Sequence, residues 1–260
     1  MESILANFSS PDLDQVTEAF NLALQVLVEI GKRSSSQADA AADFEYPVKA
    51  FHHILDRIFA GGEGDDLEHA EALDELLRMA LESYGDVRYH AYQIIPELAR
   101  DHPASIGRLI WVLGSLDPQS KFRRSLVPLP ASITKKDPIK SRPGHRAAFS
   151  ACWLGLLGRV AKDDTSSHKR ILSILDDRII PYMTRPQLLI DYLTAAYEAG
   201  GMLSLLSLSS LFTLIRKHNL DYPQFFTRLY ALLDGRILHV AYRRRFLRLL
   251  ETFMQSTMMP

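Results

Sequence analysis

Apolar side chains recur every three or four residues along almost the whole of this 260-residue chain. In the first such run they are Val16, Phe20, Ala23, Leu27 and Ile30. This spacing places them on one face of an α-helix. Runs of strict alternation with β-branched residues, which would predict strands, are missing from the sequence. The pattern therefore predicts an all-α protein.

Start and stop signals divide the chain into about ten helices. Ser10-Pro11 opens the first helix and Gly31 is expected to close it. Pro96 predicts a kink or a break in a later helix, because proline removes a backbone donor. The segments 184–187 and 221–224 share a capping residue, a proline in the first turn and a following glutamine, so each should open a new helix.

The turns between these helices are short, which favours antiparallel packing of neighbours. A succession of such helical hairpins predicts a HEAT-like or armadillo-like stack, that is, an irregular α-solenoid. No repeat consensus is strict enough to require a solenoid, so an irregular helical bundle is the alternative.

Charge divides the chain into an acidic and a basic part. Residues 1–116 carry 8 Lys and Arg against 20 Asp and Glu, a balance of −12, whereas residues 117–260 carry 22 against 11, a balance of +11. We predict an acidic helical region at 1–116, a flexible, basic, proline-rich connector at 117–145 and a second helical domain at 146–260. The basic part is the one expected to bind phosphate or acidic protein.

The connector is a candidate for contact with RNA through non-specific electrostatics. Four of its cations are the candidate contacts, namely Arg123, Arg124, Lys135 and Lys136. Aromatic side chains that could stack on bases are not interleaved with them, so the segment could equally be a solvated linker.

No catalytic, cofactor or metal site is predicted. His52 and Asp56 lie one helical turn apart, but a third ligand at matching distance is not identifiable. Cys152, the single cysteine, lies among Trp and Leu residues with no base placed beside it, so we interpret it as a buried apolar residue. These observations predict a protein that is not an enzyme and that has no small-molecule substrate. The most apolar window, residues 202–215, is too short to cross a membrane and predicts a buried helix.

The segment at 242–255 predicts an amphipathic helix with a cationic face. Its aromatic and leucine side chains gather on one side, whereas Arg244, Arg248, Glu251 and Gln255 lie opposite. Arg244 and Arg248 are like charges at i and i+4, a repulsion that an acidic or phosphate partner would offset. Arg243 precedes them. We take these three arginines as candidate contacts for a protein partner or RNA, against the alternative of a solvated face.

Three stretches of the second half resemble the CCAAT-binding-factor domain family. They are residues 191–201 (DYLTAAYEAGG), 208–233 (LSSLFTLIRKHNLDYPQFFTRLYALL) and 239–251 (HVAYRRRFLRLLE). The most specific motifs are the Asn-Leu-Asp-Tyr-Pro turn and the Leu-Tyr-Ala-Leu-Leu helix. The resemblance covers about 80 residues, from 182 to 260. Residues 149–178 fit more loosely, and residues 1–146 carry no recognisable family motif.

The resemblance implies a helical repeat scaffold of the nucleolus, and hence of the nucleus. It would act in ribosome biogenesis, within the small-subunit processome, in rRNA processing and maturation of the 40S subunit. The implied partner is nucleolar protein fourteen of the processome, bound through the C-terminal helices. No catalytic residues are implied. The alternatives are a helical protein that binds pre-rRNA and a large-subunit assembly factor of the same domain family.

The chain also departs from the family. The family domain continues beyond the Ser-Thr-x-x-Pro segment at 256–260 with further helices, and the chain has about half of the usual length. We therefore expect a domain that is incomplete at its C-terminus, as in a truncated form of the protein.

Overall fold

The computed structural model describes residues 2–10, 12–37, 46–60, 67–117, 124–130, 133–222, 225–231 and 243–255. The helices in these ranges are α1 (Glu2–Leu5), α2 (Leu13–Gln37), α3 (Val48–Ala60), α4 (Leu67–Ser83), α5 (Gly85–Asp101), α6 (Ile106–Ser115), α7 (Arg142–Leu157), α8 (Thr165–Ile174), α9 (Ile190–Glu198), α10 (Gly201–His218), α11 (Phe225–Ala231) and α12 (Arg243–Met254). Short 3-10 and π-helical turns extend several of them. The described ranges contain no strand, only an isolated bridge between Tyr84 and Arg124. The predicted all-α class is confirmed, and within each unit helices pack against near neighbours in the chain, such as α4 against α5 and α9 against α10, which is consistent with an α-solenoid.

The chain divides into two compact units. The first comprises Met1–Ala161 with Tyr182–Thr184, and the second comprises Lys162–Pro181 with Arg185–Pro260. The division falls after α7, not at the predicted boundary between residues 145 and 146. The physical reason is that α7 packs along α5, so it belongs to the first unit.

Helix α5 is the centre of the first unit. It packs against α3, α4, α6 and α7. Most of its residues are buried, among them Val87, Ala91, Ile95 and Leu98. A helix that is apolar and buried on most sides is surrounded by other helices, and four helices of this unit pack against α5.

Two residues expected to interrupt helices do not. Helix α5 runs through Pro96 without ending, so of the predicted kink or break the break is wrong. Gly155 of α7 lies against that proline, since a Cβ atom at residue 155 would come within 2.9 Å of the Pro96 Cβ. Likewise α2 continues past Gly31 to Gln37, so the predicted end at Gly31 is wrong, and this glycine makes room for the buried side chain of Val127. Both residues serve helix packing rather than helix termination.

Helix α10 forms the core of the second unit and packs against α8, α9 and α11. The hydroxyl groups of its three buried serines donate hydrogen bonds to backbone carbonyl oxygens. Ser204 donates to Tyr197, Ser207 donates to Ser204 at 2.8 Å, and Ser210 donates to Leu206 at 3.4 Å. The hydroxyls therefore need no water, and the helix is buried as its apolar composition predicts. None of the helices in the described ranges has the length and apolar character needed to cross a membrane.

Left-handed backbone marks both ends of α10. Gly200 and Gly201 have φ angles of 85° and 60° at its start, where their pair predicts a separation from α9. Asn219 has a φ of 50° at its end, and the N–H of Leu220 donates to the carbonyl of Leu214 at 3.3 Å. An αL residue that closes a helix in this way is usually glycine, and asparagine is the next choice. The Asn in the family motif therefore acts as a helix cap.

Segments 184–187 and 221–224, which were both predicted to open a helix, differ in what the structure describes. In the first, a 3-10 turn at Pro186–Leu189 leads directly into α9, so a helix starts where the sequence predicts. In the second, residues 223–224 lie outside the described ranges, and α11 begins at Phe225.

Helix α7 starts in close contact with the turn that precedes it. Ser141 caps the helix, since its Oγ accepts from the N–H of Gly144 at 3.1 Å. A Cβ atom at residue 144 would lie 2.7 Å from the carbonyl carbon of Pro138, and backbone cannot move aside as a side chain can.

We expect Gly144→Ala to lower the free energy of unfolding by about 1–3 kcal/mol, the usual cost of overpacking. Gly107→Ala in α6 is the matched control, because no atom lies within 4 Å of the new methyl group. The control should leave stability unchanged or raise it by about 0.5–1 kcal/mol, since alanine favours helix. Urea unfolding followed by circular dichroism measures both, and equal effects of the two substitutions would contradict the packing described.

Candidate interaction surfaces

The cationic candidates form two surfaces, one in each compact unit. The basic turn consists of Lys135 and Lys136 in the first unit, and the arginine face consists of Arg243, Arg244 and Arg248 on α12 in the second unit. Of the remaining candidates, Arg124 is exposed, and Arg123 lies outside the described residues.

The carboxylate of Asp86, in the first turn of α5, fixes the segment that leads to the basic turn. Its two oxygens accept the backbone N–H groups of Leu126 and Val127, each at 2.9 Å, and the hydroxyl of Tyr46 at 3.3 Å. Burial and the neighbouring carboxylate raise the pKa of Tyr46, so the phenol stays protonated and donates. Val127 is buried. Residues 126 and 127 of the predicted connector are therefore hydrogen-bonded to α5.

A second set of hydrogen bonds shapes the basic turn itself. The Asp137 carboxylate accepts from the N–H of Thr134 at 2.5 Å and from its hydroxyl at 3.0 Å. Lys140 donates to the carbonyl of Ile133 at 2.8 Å, which closes the turn. Lys135 and Lys136 lie exposed between these contacts. The two ammonium groups are thus presented by a backbone with defined conformation.

A buried histidine connects the turn to α7. Nε2 of His145 lies 2.9 Å from the carbonyl oxygen of Ile139. Burial lowers the pKa of His145 to about 4, against a smaller opposing effect of this hydrogen bond. The imidazole is therefore neutral at physiological pH and adds no charge to the basic turn.

Helix α12 exposes the charged face that helical spacing predicts. Arg244, Arg248, Glu251 and Gln255 are all exposed. The apolar side predicted for this helix consists of Tyr242, Leu250 and the side chains of residues 246, 249 and 253. Of these, Leu250 is half-buried, and the others lie outside the described part of the structure.

Two apolar side chains of α12 are exposed that the sequence pattern assigns no role. Leu247 is 47% exposed and Met254 is 60% exposed. They are seven residues apart, which places them on one line along the helix. Sequence reasoning missed them because it assigns apolar residues of an amphipathic helix to the core. Helical spacing could have found them, since it places both residues on the same side of α12 as Arg243 and Arg244.

Arg228 of α11 has a structural role in the family stretch that sequence reasoning also missed. Its guanidinium carbon lies 4.8 Å from the ring centroid of Tyr197 and 5.4 Å from that of Tyr222, and the hydroxyl of Tyr197 donates to the Arg228 carbonyl at 3.1 Å. Cation–π contacts of this kind hold α9, the turn after α10 and α11 together. This arginine is 18% exposed at its side chain and belongs to the packing of the unit.

The residues considered for chemistry take up structural positions. His52 lies 3.6 Å from a carboxylate oxygen of Glu97, and His102 lies 2.7 Å from Asp56. Asp56 therefore pairs with a histidine on another element, not with His52. Within the ranges that the structure describes, no group of three or more His, Cys, Asp or Glu side chains is placed to hold a metal ion.

Cys152 is fully buried in α7, as predicted. Burial raises the pKa of its thiol well above the ordinary value. The thiol is therefore neutral at physiological pH and is a poor nucleophile.

Comparison with known proteins identifies relatives over nearly the whole chain. Residues 204–260 match the CBF/Mak21 family. The nucleolar complex protein 4 homolog of Rattus norvegicus is 33% identical over 252 residues, which cover 92% of this chain and 48% of the rat protein. The Homo sapiens homolog is 32% identical over 258 residues, covering 95% of this chain and 48% of the human protein. The chain thus spans about half the length of the curated relatives it matches.

A shorter region is more similar. The Gallus gallus homolog is 47% identical over 122 residues, covering 47% of this chain and 24% of the chicken protein. The family resemblance predicted from the motifs of the second half is confirmed, and the alignments with the mammalian proteins extend it into the first half.

Replacing Asp86 by alanine should release the segment at 124–130. Two backbone N–H groups and a phenol lose their acceptor, so we expect the free energy of unfolding to fall by about 2–4 kcal/mol. Amide exchange at Leu126 and Val127 should accelerate. Tyr46→Phe, which removes the phenol donor alone, is the control and should leave both amides protected; exchange that is unchanged in Asp86→Ala would show that the segment is held by other contacts.

The buried thiol predicts low reactivity. Native protein should not react with iodoacetamide at pH 8 over the time in which a free cysteine is consumed, and it should react after unfolding in urea, because exposure restores the ordinary pKa. Mass spectrometry of the alkylated protein measures this. Rapid modification of Cys152 in the native state would contradict its burial.

Proposed function

Because the chain is a relative of the nucleolar complex protein 4 homologs and residues 204–260 match the CBF/Mak21 family, we propose that it is a non-enzymatic assembly factor of ribosome biogenesis. It acts in the nucleolus, and hence in the nucleus, as a helical scaffold. Within this role we assign it to the small-subunit processome, in rRNA processing and maturation of the 40S subunit.

The observation that carries this proposal is the similarity to proteins named for the nucleolus over 92% of the chain. A match of that extent includes residues of both compact units, so it is not confined to one motif. The fold supports a scaffold as well, since helical units of this type present surfaces to partners.

We assign partner binding to the C-terminal helices, with nucleolar protein fourteen of the processome as the partner. The support is the family stretch, which covers α10, α11 and α12, together with the exposed arginine face on α12. An acidic surface on the partner would neutralise these arginines and form bidentate hydrogen bonds with them.

Affinity purification of the tagged chain from growing cells tests the assignment. Nucleolar protein fourteen should co-purify in stoichiometric amount, together with small-subunit rRNA precursors, and depletion of the chain should make those precursors accumulate. Purification with large-subunit precursors instead would move the assignment to a large-subunit assembly factor of the same domain family.

A second candidate function is direct binding of pre-rRNA, which the presentation of Lys135 and Lys136 on an ordered turn favours. Contact with phosphates would be electrostatic and would weaken with salt. This function is compatible with a scaffold role and needs a separate test.

Lys135→Glu with Lys136→Glu should weaken binding to a pre-rRNA fragment about tenfold or more and reduce the salt dependence, because two phosphate contacts are lost. Lys162→Glu with Lys169→Glu is the matched control, with the same charge change at exposed positions outside both surfaces. Arg244→Glu with Arg248→Glu tests the arginine face in the same assay. Fluorescence anisotropy at low and high salt measures the RNA affinity of all three double variants. If the lysine pair at 135 and 136 and the arginine pair at 244 and 248 both leave the affinity unchanged, direct RNA binding through these surfaces is excluded.

A further inference from the structure

Ser125 is an exposed serine that follows a run of cations in the sequence. Lys121, Arg123 and Arg124 precede it, and Leu126 follows it. Basophilic protein kinases have a substrate groove lined with carboxylates, and they select serines that have arginine or lysine on the N-terminal side. The residues around Ser125 therefore have the charge pattern of a substrate for a basophilic serine kinase.

A second serine has a similar pattern, and the structure distinguishes the two. Ser173 follows Lys169 and Arg170, but it lies within α8, and its hydroxyl donates to the carbonyl of Arg170 at 2.7 Å. Ser125 lies outside the helices, in the segment at 124–130. A substrate lies along a kinase groove as an extended peptide, and a helical turn does not present its serine in this form. The structure therefore selects Ser125.

The backbone on both sides of Ser125 is hydrogen-bonded to the start of α5. On one side the N–H of Gly85 donates to the carbonyl of Arg124 at 3.0 Å. On the other side the N–H of Leu126 donates to Oδ1 of Asp86 at 2.9 Å. The serine thus lies in the middle of the contact that joins this segment to the helix, so a change at its hydroxyl acts on that contact.

A phosphate on Ser125 would lie close to the carboxylate of Asp86. Oδ1 of Asp86 is 2.9 Å from the nitrogen of Leu126, and covalent geometry then places Oγ of Ser125 within about 8 Å of Oδ1. Asp86 is 2% exposed, so salt screens its charge little. A phosphate carries a charge of about −1.5 to −2 at neutral pH and repels a neighbouring carboxylate. Phosphorylation would therefore weaken the contact between the segment and α5.

We propose that Ser125 is the phosphorylation site of a basophilic serine kinase and that its phosphate releases the segment at 124–130 from Asp86. Oγ of Ser125 attacks the γ-phosphorus of ATP. The Oγ–P bond forms, the bond from this phosphorus to the bridging oxygen breaks, ADP leaves, and the hydroxyl proton passes to a base of the kinase. Release and phosphorylation promote each other, because the released segment enters the kinase groove and the phosphate opposes its return. The inference is independent of the proposed function.

Phosphopeptide mapping tests the site. The tagged full chain is purified from growing cells in the presence of phosphatase inhibitors, and mass spectrometry localises the phosphate. We expect phosphate on Ser125 and none on Ser173, because the second serine is held in a helix. Absence of phosphate from Ser125 would overturn the proposal.

Substitution of the cations tests the class of kinase. Arg123→Ala with Arg124→Ala should lower the phosphate occupancy of Ser125 about tenfold or more, because the kinase loses the charges that it recognises. Lys162→Ala with Lys169→Ala is the matched control, since it removes two exposed cations far along the chain and should leave the occupancy unchanged. Occupancy that the arginine pair does not change would contradict a basophilic kinase.

Hydrogen exchange tests the release of the segment. Amide exchange at Leu126 and Val127 should be about tenfold faster or more in the phosphorylated chain than in the same chain after phosphatase treatment, because repulsion opens their hydrogen bonds to Asp86. Exchange at Ala91, inside α5, is the control and should be equal in both samples. Equal exchange at the two amides of the segment would contradict the release.

Asp86→Ala tests the coupling between release and phosphorylation. This variant lacks the acceptor of the segment, so it should carry about threefold or more phosphate on Ser125 when it is made in the same cells. Ser173 reports on the rest of the fold and should stay unmodified, because its helix takes no part in the contact. Phosphate that rises equally on both serines, or on neither, would contradict the coupling.

Discussion

A single buried carboxylate joins helix α5 to the segment at 124–130 of the first unit. Asp86 lies in the first turn of α5, which packs against four other helices of that unit, and accepts hydrogen bonds from two backbone N–H groups of the segment. The turn at 133–141 ends in the cap of α7. The backbone amides of Leu126 and Val127, which would otherwise need water, are satisfied within the protein.

The sequence predicted the fold class well because the dominant signal, apolar spacing of three and four, is local. It predicted the start of α2 near Ser10 and the separation of α9 from α10 at Gly200 and Gly201, since capping and turn residues act over a few positions. It failed at Gly31, which was expected to end α2, and at the break that Pro96 allowed. The contact at each of these residues comes from far along the chain: Val127 for Gly31 and Gly155 for Pro96.

The candidate surfaces were predictable to a similar extent. Helical spacing alone placed Arg244 and Arg248 on the exposed side of α12, where the structure has them. The same reasoning overlooked Leu247 and Met254, because an apolar residue in an amphipathic helix is assigned to the core unless the packing partner is known. It overlooked Arg228 for the reverse reason: a cation was assumed to face solvent, whereas Tyr197 and Tyr222 hold this guanidinium within the unit.

The close approach of Gly155 to Pro96 has an evolutionary consequence. The Cβ and Cγ atoms of Pro96 would lie 2.9 and 3.1 Å from a side chain at residue 155, so the glycine allows the two helices to lie this near to each other. A Cβ atom is present in every residue except glycine, so replacing the proline would not make room by itself. A lineage that acquires a larger residue at 155 therefore has to move α7 outward, and we expect related sequences to keep a glycine there.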